Sequence, residues 1–261
     1  MELVHAETAA GISTLTLDSP ANRNALSTPL MRALLDLLGA ALTDPAVRAV
    51  VISHTGPVFC SGADLKETAS AGANGKVPAE LLADVLAALW EFPKPVVARI
   101  AGPARAGGLG LIAAADIAVC TRDATFAFSE VRLGVIPAVI SATVLPRLAP
   151  RAAAELYLTG DVFDGVRAAE IGLVTRAVDA AGLEAAVTAY TKALVLGGPL
   201  ALAGTKQLLR RRLGPADSVR AELAELSARS AGYFKSAEGR EGIAAFREKR
   251  PASWVPSATV E

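Results

Sequence analysis

Few residues in this chain could carry chemistry. Histidine occurs only as His5 and His54, and cysteine only as Cys60 and Cys120. Both cysteines lie in or beside apolar stretches, which points to buried free thiols. Two isolated histidines and no Cys-x-x-Cys leave no zinc-ligand pattern. A Ser-His-Asp triad would have to use His54, and no Gly-x-Ser-x-Gly turn supplies its serine. His54 instead follows an apolar strand pattern and is expected to satisfy a local hydrogen bond. Glycine is the unusual feature. In PARAGGLGLIAAADIAV, residues 103–119, Gly107, Gly108 and Gly110 open a short helical segment directly after the apolar run PVVARIAG. Glycine costs a helix about 1 kcal/mol relative to alanine. Three at a helix start mark a place where something approaches the backbone.

Three ligands compete for that place. A phosphate loop would read Gly-x-x-x-x-Gly-Lys-Ser/Thr, which is absent. A dinucleotide fingerprint is met in outline by GLGLIA, residues 108–113. Its helix is too short, however, and the next strand, DIAVC, ends without an acidic residue for a ribose hydroxyl. The third ligand is an oxyanion. A helix N-terminus presents unpaired N–H donors and partial positive charge. A second segment, GPVFCSGADLKE at residues 56–67, has the same character: an apolar strand enters a glycine turn and Asp64 opens a helix. One N–H from each segment could hold a single carbonyl oxygen, each contributing roughly 3 kcal/mol to an anionic intermediate.

Such donors need a rigid scaffold. The 261 residues are 52% apolar, enough for one large domain or a domain with a small appendage. Twenty-six basic residues balance 26 acidic ones, which argues against a nucleic-acid footprint. The one dense basic run, Arg210, Arg211 and Arg212, reads as a solvated helix end. Strand and helix signals alternate through the first part: strands at 11–17, 47–53, 95–102 and 116–120, helices at 28–43 and 81–92. This alternation indicates an α/β layer with crossover connections. Residues 67–80 read as a flexible loop. Beyond residue 145 the pattern is mainly helical, with one last strand in GLVTRAV and with DSVRAELAELSARSAGYF and EGREGIAAFREKR among the closing helices. The break near Gly197–Pro199 separates an expected core, 1–197, from a C-terminal helical region, 198–261. MELVHAETAAGIS carries no basic stretch followed by an apolar run, and no uncharged apolar run reaches about 20 residues. No signal peptide and no membrane span are expected, and a cytoplasmic location follows.

Taken together, the segments carry a resemblance. FCSGADLKE, then PKPVVARIAGPARAGGLGLIAAADIAV, then FAFSEVRLGVIPAV, then LTGDVFDGVRAAEIGLVTRAV occur in an order and at spacings similar to the crotonase superfamily, the enoyl-CoA hydratase and isomerase group. SPANRNALS and EGIAAFREKR resemble the ends of that family. The resemblance implies a ClpP/crotonase-like spiral of ββα units with a C-terminal helical trimerisation region, assembled as a homotrimer or a dimer of trimers.

The resemblance also implies roles. The oxyanion donors fall on Ala63 and Gly107, although Ala106 stands where the family usually has a glycine. Many family hydratases carry two glutamates. One slot falls on Gly110, which has no side chain, and the other on Glu130. One carboxylate therefore remains as acid and base. The vacated position 110 is expected to leave room for a β-substituent on the acyl group. Coenzyme A contacts carry over to Arg23, Ala25, Ala63, Asp64 and Leu65, with Phe246 and Lys249 on the closing helix. The substrate is an acyl-CoA thioester, and no cofactor, metal, nucleic acid or membrane is implied. SEVRLGVIPAVIS lacks the Gly-Ala-Gly-Gly common in two-glutamate hydratases and is closer to the branch of bacterial methylglutaconyl-CoA hydratases. Hydration is favoured, with 3,2-enoyl isomerisation and non-catalytic acyl-CoA binding as the alternatives.

Overall fold

The structure is a computed structural model that describes residues 2–64, 67, 78–210 and 237–255. In chain order the strands are β1 (Val4–Ala9), β2 (Ile12–Leu17), β3 (Ala49–His54), β4 (Val96–Ile100), β5 (Ala104–Arg105), β6 (Ile117–Thr121), β7 (Thr125–Ala127), β8 (Phe163–Asp164) and β9 (Arg176–Val178). The helices are α1 (Thr28–Thr43), α2 (Pro78–Glu91), α3 (Gly107–Ala114), α4 (Ala138–Val144), α5 (Pro150–Thr159), α6 (Gly165–Glu170), α7 (Leu183–Val195), α8 (Pro199–Arg210) and α9 (Ala237–Glu248).

The large sheet runs β1-β2-β3-β4-β6-β9, and every pair except the β1–β2 hairpin is parallel. Parallel neighbours need crossovers. The segments carrying α1, α2 and α3 supply them and place their apolar sides on one face of the sheet. In α1, Leu30, Met31, Leu34, Leu38 and Ala41 are buried, and the Ser27 side chain caps the helix by accepting from the Leu30 N–H. All six residues of β3 are buried, as expected for a strand covered on both faces. The opposite face is covered by α7, whose Leu183, Ala186 and Val187 pack on Val51, Val97 and Val119.

A smaller sheet, β5-β7-β8, sits beyond the C-terminal ends of the large one. Its parallel pairs Ala104↔Phe126 and Arg105↔Ala127 fix the segment before α3 against the segment before Glu130. His54 closes β3, and its Nε2 accepts from the Ala101 N–H at 3.0 Å. That bond ties the end of β3 to the chain leaving β4 rather than staying local. Cys60 and Cys120 are free and buried, and burial pushes both thiols up to about 12.

Two features depart from the sequence reading. β1 carries no apolar alternation, because only Val4 of its six residues is buried, yet it pairs with all of β2. Arg210 is not a solvated helix end. Its guanidinium bonds Asp116 at 2.6 Å, and its side chain is only 12% exposed. The expected boundary falls between α7 and α8. The helix expected at DSVRAELAELSARSAGYF lies outside the described residues, as does most of the loop at 67–80.

Candidate active site

Two glycine turns meet at the C-terminal ends of β3 and β4. The turn after β3 is joined to the segment after β4 by a parallel bridge, Cys60↔Ala104, and by the Phe59 N–H donating to the Pro103 carbonyl at 3.0 Å. It is joined to the segment before α1 by Ser61 N–H to Arg23 O at 3.0 Å and by Leu26 N–H to Gly62 O at 2.8 Å. Asn24, fully buried, locks the corner: it accepts from the Ser19 N–H and donates to the carbonyls of Thr55 and Val58. Arg23, Ala25, Ala63 and Asp64 are thereby gathered at one place. Arg23 and Ala63 are exposed, Ala25 is buried, and Asp64 accepts from Asn22 Nδ2 at 2.9 Å.

The approach of the turns is close enough to demand glycine. Gly62 has φ +91°, and a Cβ there would lie 3.0 Å from the Ala106 Cβ and 3.1 Å from the Arg105 carbonyl oxygen. A Cβ on Gly107 would lie 2.7 Å from Leu26 Cδ1 and 3.9 Å from the Gly62 Cα. Ala63 and Gly107 thus flank a contact between two backbones. Among the described residues, no carbonyl accepts from the N–H of either one. Two free amides side by side can hold an oxygen that acquires negative charge.

Ala106, the N-cap of α3, has φ 46° and ψ −116°. A non-glycine residue so placed carries roughly 1–3 kcal/mol of strain. Glycine would remove it while restoring roughly 0.4–1 kcal/mol of unfolded-chain freedom. Ala106→Gly is expected to stabilise the protein by about 1 kcal/mol. The midpoint of urea unfolding reads this directly: it rises if the strain is real, and a fall contradicts it.

Glu130 follows β7, whose pairing with β5 ties it to the segment before α3. The Ala106 N–H donates to the Ala127 carbonyl at 3.3 Å, and a 3-10 turn, Ser129–Leu133, follows at once. Glu130 is 9% exposed, and its Oε2 is buried with no hydrogen-bond partner among the described residues. Burial pushes its carboxyl above the usual carboxylate range, partly opposed by a backbone N–H. An uncompensated buried acid is costly and is a mark of functional sites.

The sequence reading did not find the apolar wall or the aromatic support. A Cβ on Gly110 would meet Ile140 Cγ2 at 2.8 Å and Leu86 Cδ1 at 3.1 Å. The space expected at Gly110 is therefore not vacant: Ile140 of α4 and Leu86 of α2 fill it. The expectation that this position makes room for a β-substituent is corrected accordingly. Tyr157 of α5 packs on Phe128 at 4.5 Å between ring centroids, and its hydroxyl accepts from Ser141 Oγ at 3.4 Å. Leu65 lies outside the described residues. Phe246 falls within α9, which packs on α8, and Lys249 stands exposed just past its end. No described hydrogen bond or ion pair joins Lys249 to the glycine turns.

Comparison with known proteins gives the family. Residues 7–256 match the family described as Enoyl-CoA hydratase/isomerase. The chain belongs to the enoyl-CoA hydratase/isomerase family. The crystal structure of an enoyl-CoA hydratase from Mycobacterium avium is 43% identical, with a TM-score of 0.72, and the match covers 97% of this chain and 98% of that one. An enoyl-CoA hydratase from Shewanella pealeana superposes with a TM-score of 0.89 at 31% identity, over 97% of this chain and 96% of that one. A peroxisomal Delta(3,5)-Delta(2,4)-dienoyl-CoA isomerase of Arabidopsis thaliana is 30% identical over 226 residues, 81% of each chain. The mixed α/β architecture is the crotonase fold of this family, whose members act on enoyl-CoA thioesters. Hydratases and an isomerase both stand among the relatives, so the choice of reaction rests on the site.

Proposed function

We propose that this enzyme is an enoyl-CoA hydratase adding water across the 2,3-double bond of a thioester substrate. Glu130 supports the reading: its buried Oε2 has no hydrogen-bond partner among the described residues, and it follows β7, which pairs with the strand leading to Gly107. The thioester oxygen sits between the N–H groups of Ala63 and Gly107 and draws electrons from the β-carbon. Glu130 takes a proton from water as the water oxygen bonds to that carbon. The double-bond electrons shift onto the thioester oxygen, and the resulting enolate is held by the two donors. Glu130 then returns the proton to the α-carbon, so one group serves as base and acid. The coenzyme A portion lies along Arg23, Ala25, Asp64 and Leu65, and it needs no further cofactor. The exposed apolar residues Leu133, Val135, Ile136, Leu158 and Val162 support assembly as a homotrimer or dimer of trimers.

One observation favours isomerisation instead. The wall at Gly110, made by Ile140 and Leu86, is apolar where a second carboxylate would help to hold a water. A carboxylate that only moves a proton between the α- and γ-carbons needs no such water. The masses and chromatographic identities of the products from 2-enoyl- and 3-enoyl-CoA substrates, straight and β-branched, separate the readings. Glu130-dependent gain of one water from 2-enoyl substrates is expected. Conversion of 3-enoyl to 2-enoyl at constant mass, without hydration, makes the enzyme an isomerase. Binding with no turnover makes it a non-catalytic acyl-CoA-binding homologue.

A further inference from the structure

The helix that carries the Gly107 donor is only eight residues long and wholly buried, and its far end is covered by an unusual group of cations. Arg147 Nε donates to the Ala113 carbonyl at 3.1 Å and its Nη2 to the Ala115 carbonyl at 3.0 Å. Arg210 Nη2 donates to the Ala114 carbonyl at 3.4 Å. Both guanidinium groups lie over the Trp90 ring, at 5.0 and 4.8 Å from its centroid. Asp116, just beyond the helix, bonds Arg210 and Lys206 at 2.6 Å each. Three cations thus share one close carboxylate, with Glu91 acting on Arg210 at longer range. Arg210 Nε and Nη1 are buried without a partner among the described residues. Charge of this kind is expensive to bury.

Its position gives it a use. Eight residues rise about 12 Å, so both ends of α3 act on a charge held at Gly107. The bare carbonyls of a helix C-terminus carry partial negative charge and would oppose the donors at the other end. Guanidinium caps cancel that charge, and the excess cation adds a favourable field along the helix axis. We infer that Arg147 is a positioning residue for the oxyanion hole, fixing α3 by its C-terminal carbonyls and, with Lys206 and Arg210 of α8, biasing its N-terminal donor toward negative charge. The first helix of the C-terminal region thereby acts on the chemistry through α3. This inference rests on the oxyanion role proposed above for Gly107.

The test uses Arg147→Gln and Arg147→Lys in the full-length protein. The readouts are kcat and KM on a 2-enoyl-CoA and the near-ultraviolet enolate absorbance of bound acetoacetyl-CoA. For one charge removed at this range, kcat should fall about tenfold with KM within about twofold. Enolisation of the bound probe should need a pH about one unit higher. Arg147→Lys keeps the charge but not the two-carbonyl cap, so it should recover the enolate absorbance more fully than kcat. If Arg147→Gln fails to fold, Lys206→Gln takes its place with the same expected enolate shift, because Lys206 caps no carbonyl of α3. A folded variant with wild-type kcat and wild-type enolate absorbance overturns the inference. A parallel loss in both substitutions that tracks melting temperature alone, with no enolate shift, overturns it too. Wild-type protein that leaves the probe in its keto form contradicts the oxyanion reading itself, so the two failures are distinguishable.

Discussion

Replacing Glu130 by glutamine lowers turnover of a 2-enoyl-CoA about a thousandfold and leaves the protein at least as stable at neutral pH. The first effect follows from the proposed role: Glu130 is the acid and base of the mechanism, and Gly110, at the family's other glutamate slot, has no side chain. The second follows from the carboxyl's surroundings. Burial raises its ionisation range in the folded state, so folding favours the neutral acid. The stability this group contributes is fully present below the unfolded glutamate range and is lost as pH rises through the folded one. A glutamine keeps the shape without a buried charge and removes that loss. Thermal melts of the two proteins at pH 5 and pH 8 read the sign: the gain of Glu130→Gln should be larger at the higher pH. As a base, Glu130 must be ionised, so the acid limb of kcat/KM should lie above the range of a free glutamate side chain. Residual activity within tenfold of wild type would remove Glu130 from the chemistry.

Gly62→Ala is expected to cost more than one methyl group usually does. Alanine at φ +91° is strained, and its Cβ would press on the Ala106 Cβ at 3.0 Å and the Arg105 carbonyl at 3.1 Å. Neither neighbour can yield easily. Arg105 is held in β5 by its pairing with β7, and Ala106 already sits at φ 46° on the cap of α3. The two turns must therefore separate, and the amides of Ala63 and Gly107 with them. A loss of about 2–3 kcal/mol in stability and about a hundredfold in kcat is expected, with KM changed much less. Chemical denaturation and steady-state kinetics measure both. Full kcat in a destabilised variant would show that the contact of the turns is structural only.

Sequence patterns carried the local parts of this fold. The apolar spacing of α1 places it at 28–43, where it is found, and the strand pattern at 47–53 falls on β3. The two glycine turns were legible because glycine is costly where each one stands. Their contact was not, because it depends on the bridge Cys60↔Ala104, which joins segments more than forty residues apart. Ile140 was invisible for a related reason: α4 has only seven residues, and nothing local relates position 140 to position 110. Arg210 looked like solvent-facing charge, since a run of arginines does not disclose that Asp116 and Trp90 wait across the fold. Positions 246 and 249 were assigned from resemblance alone, since no local pattern relates the closing helix to the glycine turns.

The most direct measurement is the stereochemistry of hydration in deuterium oxide. A single carboxylate that activates water and then returns the proton works from one face of the substrate. The deuteron at the α-carbon and the hydroxyl at the β-carbon should therefore arrive on the same side, giving only the syn product. An anti product would place the proton donor on the opposite face and contradict Glu130 as the sole acid and base.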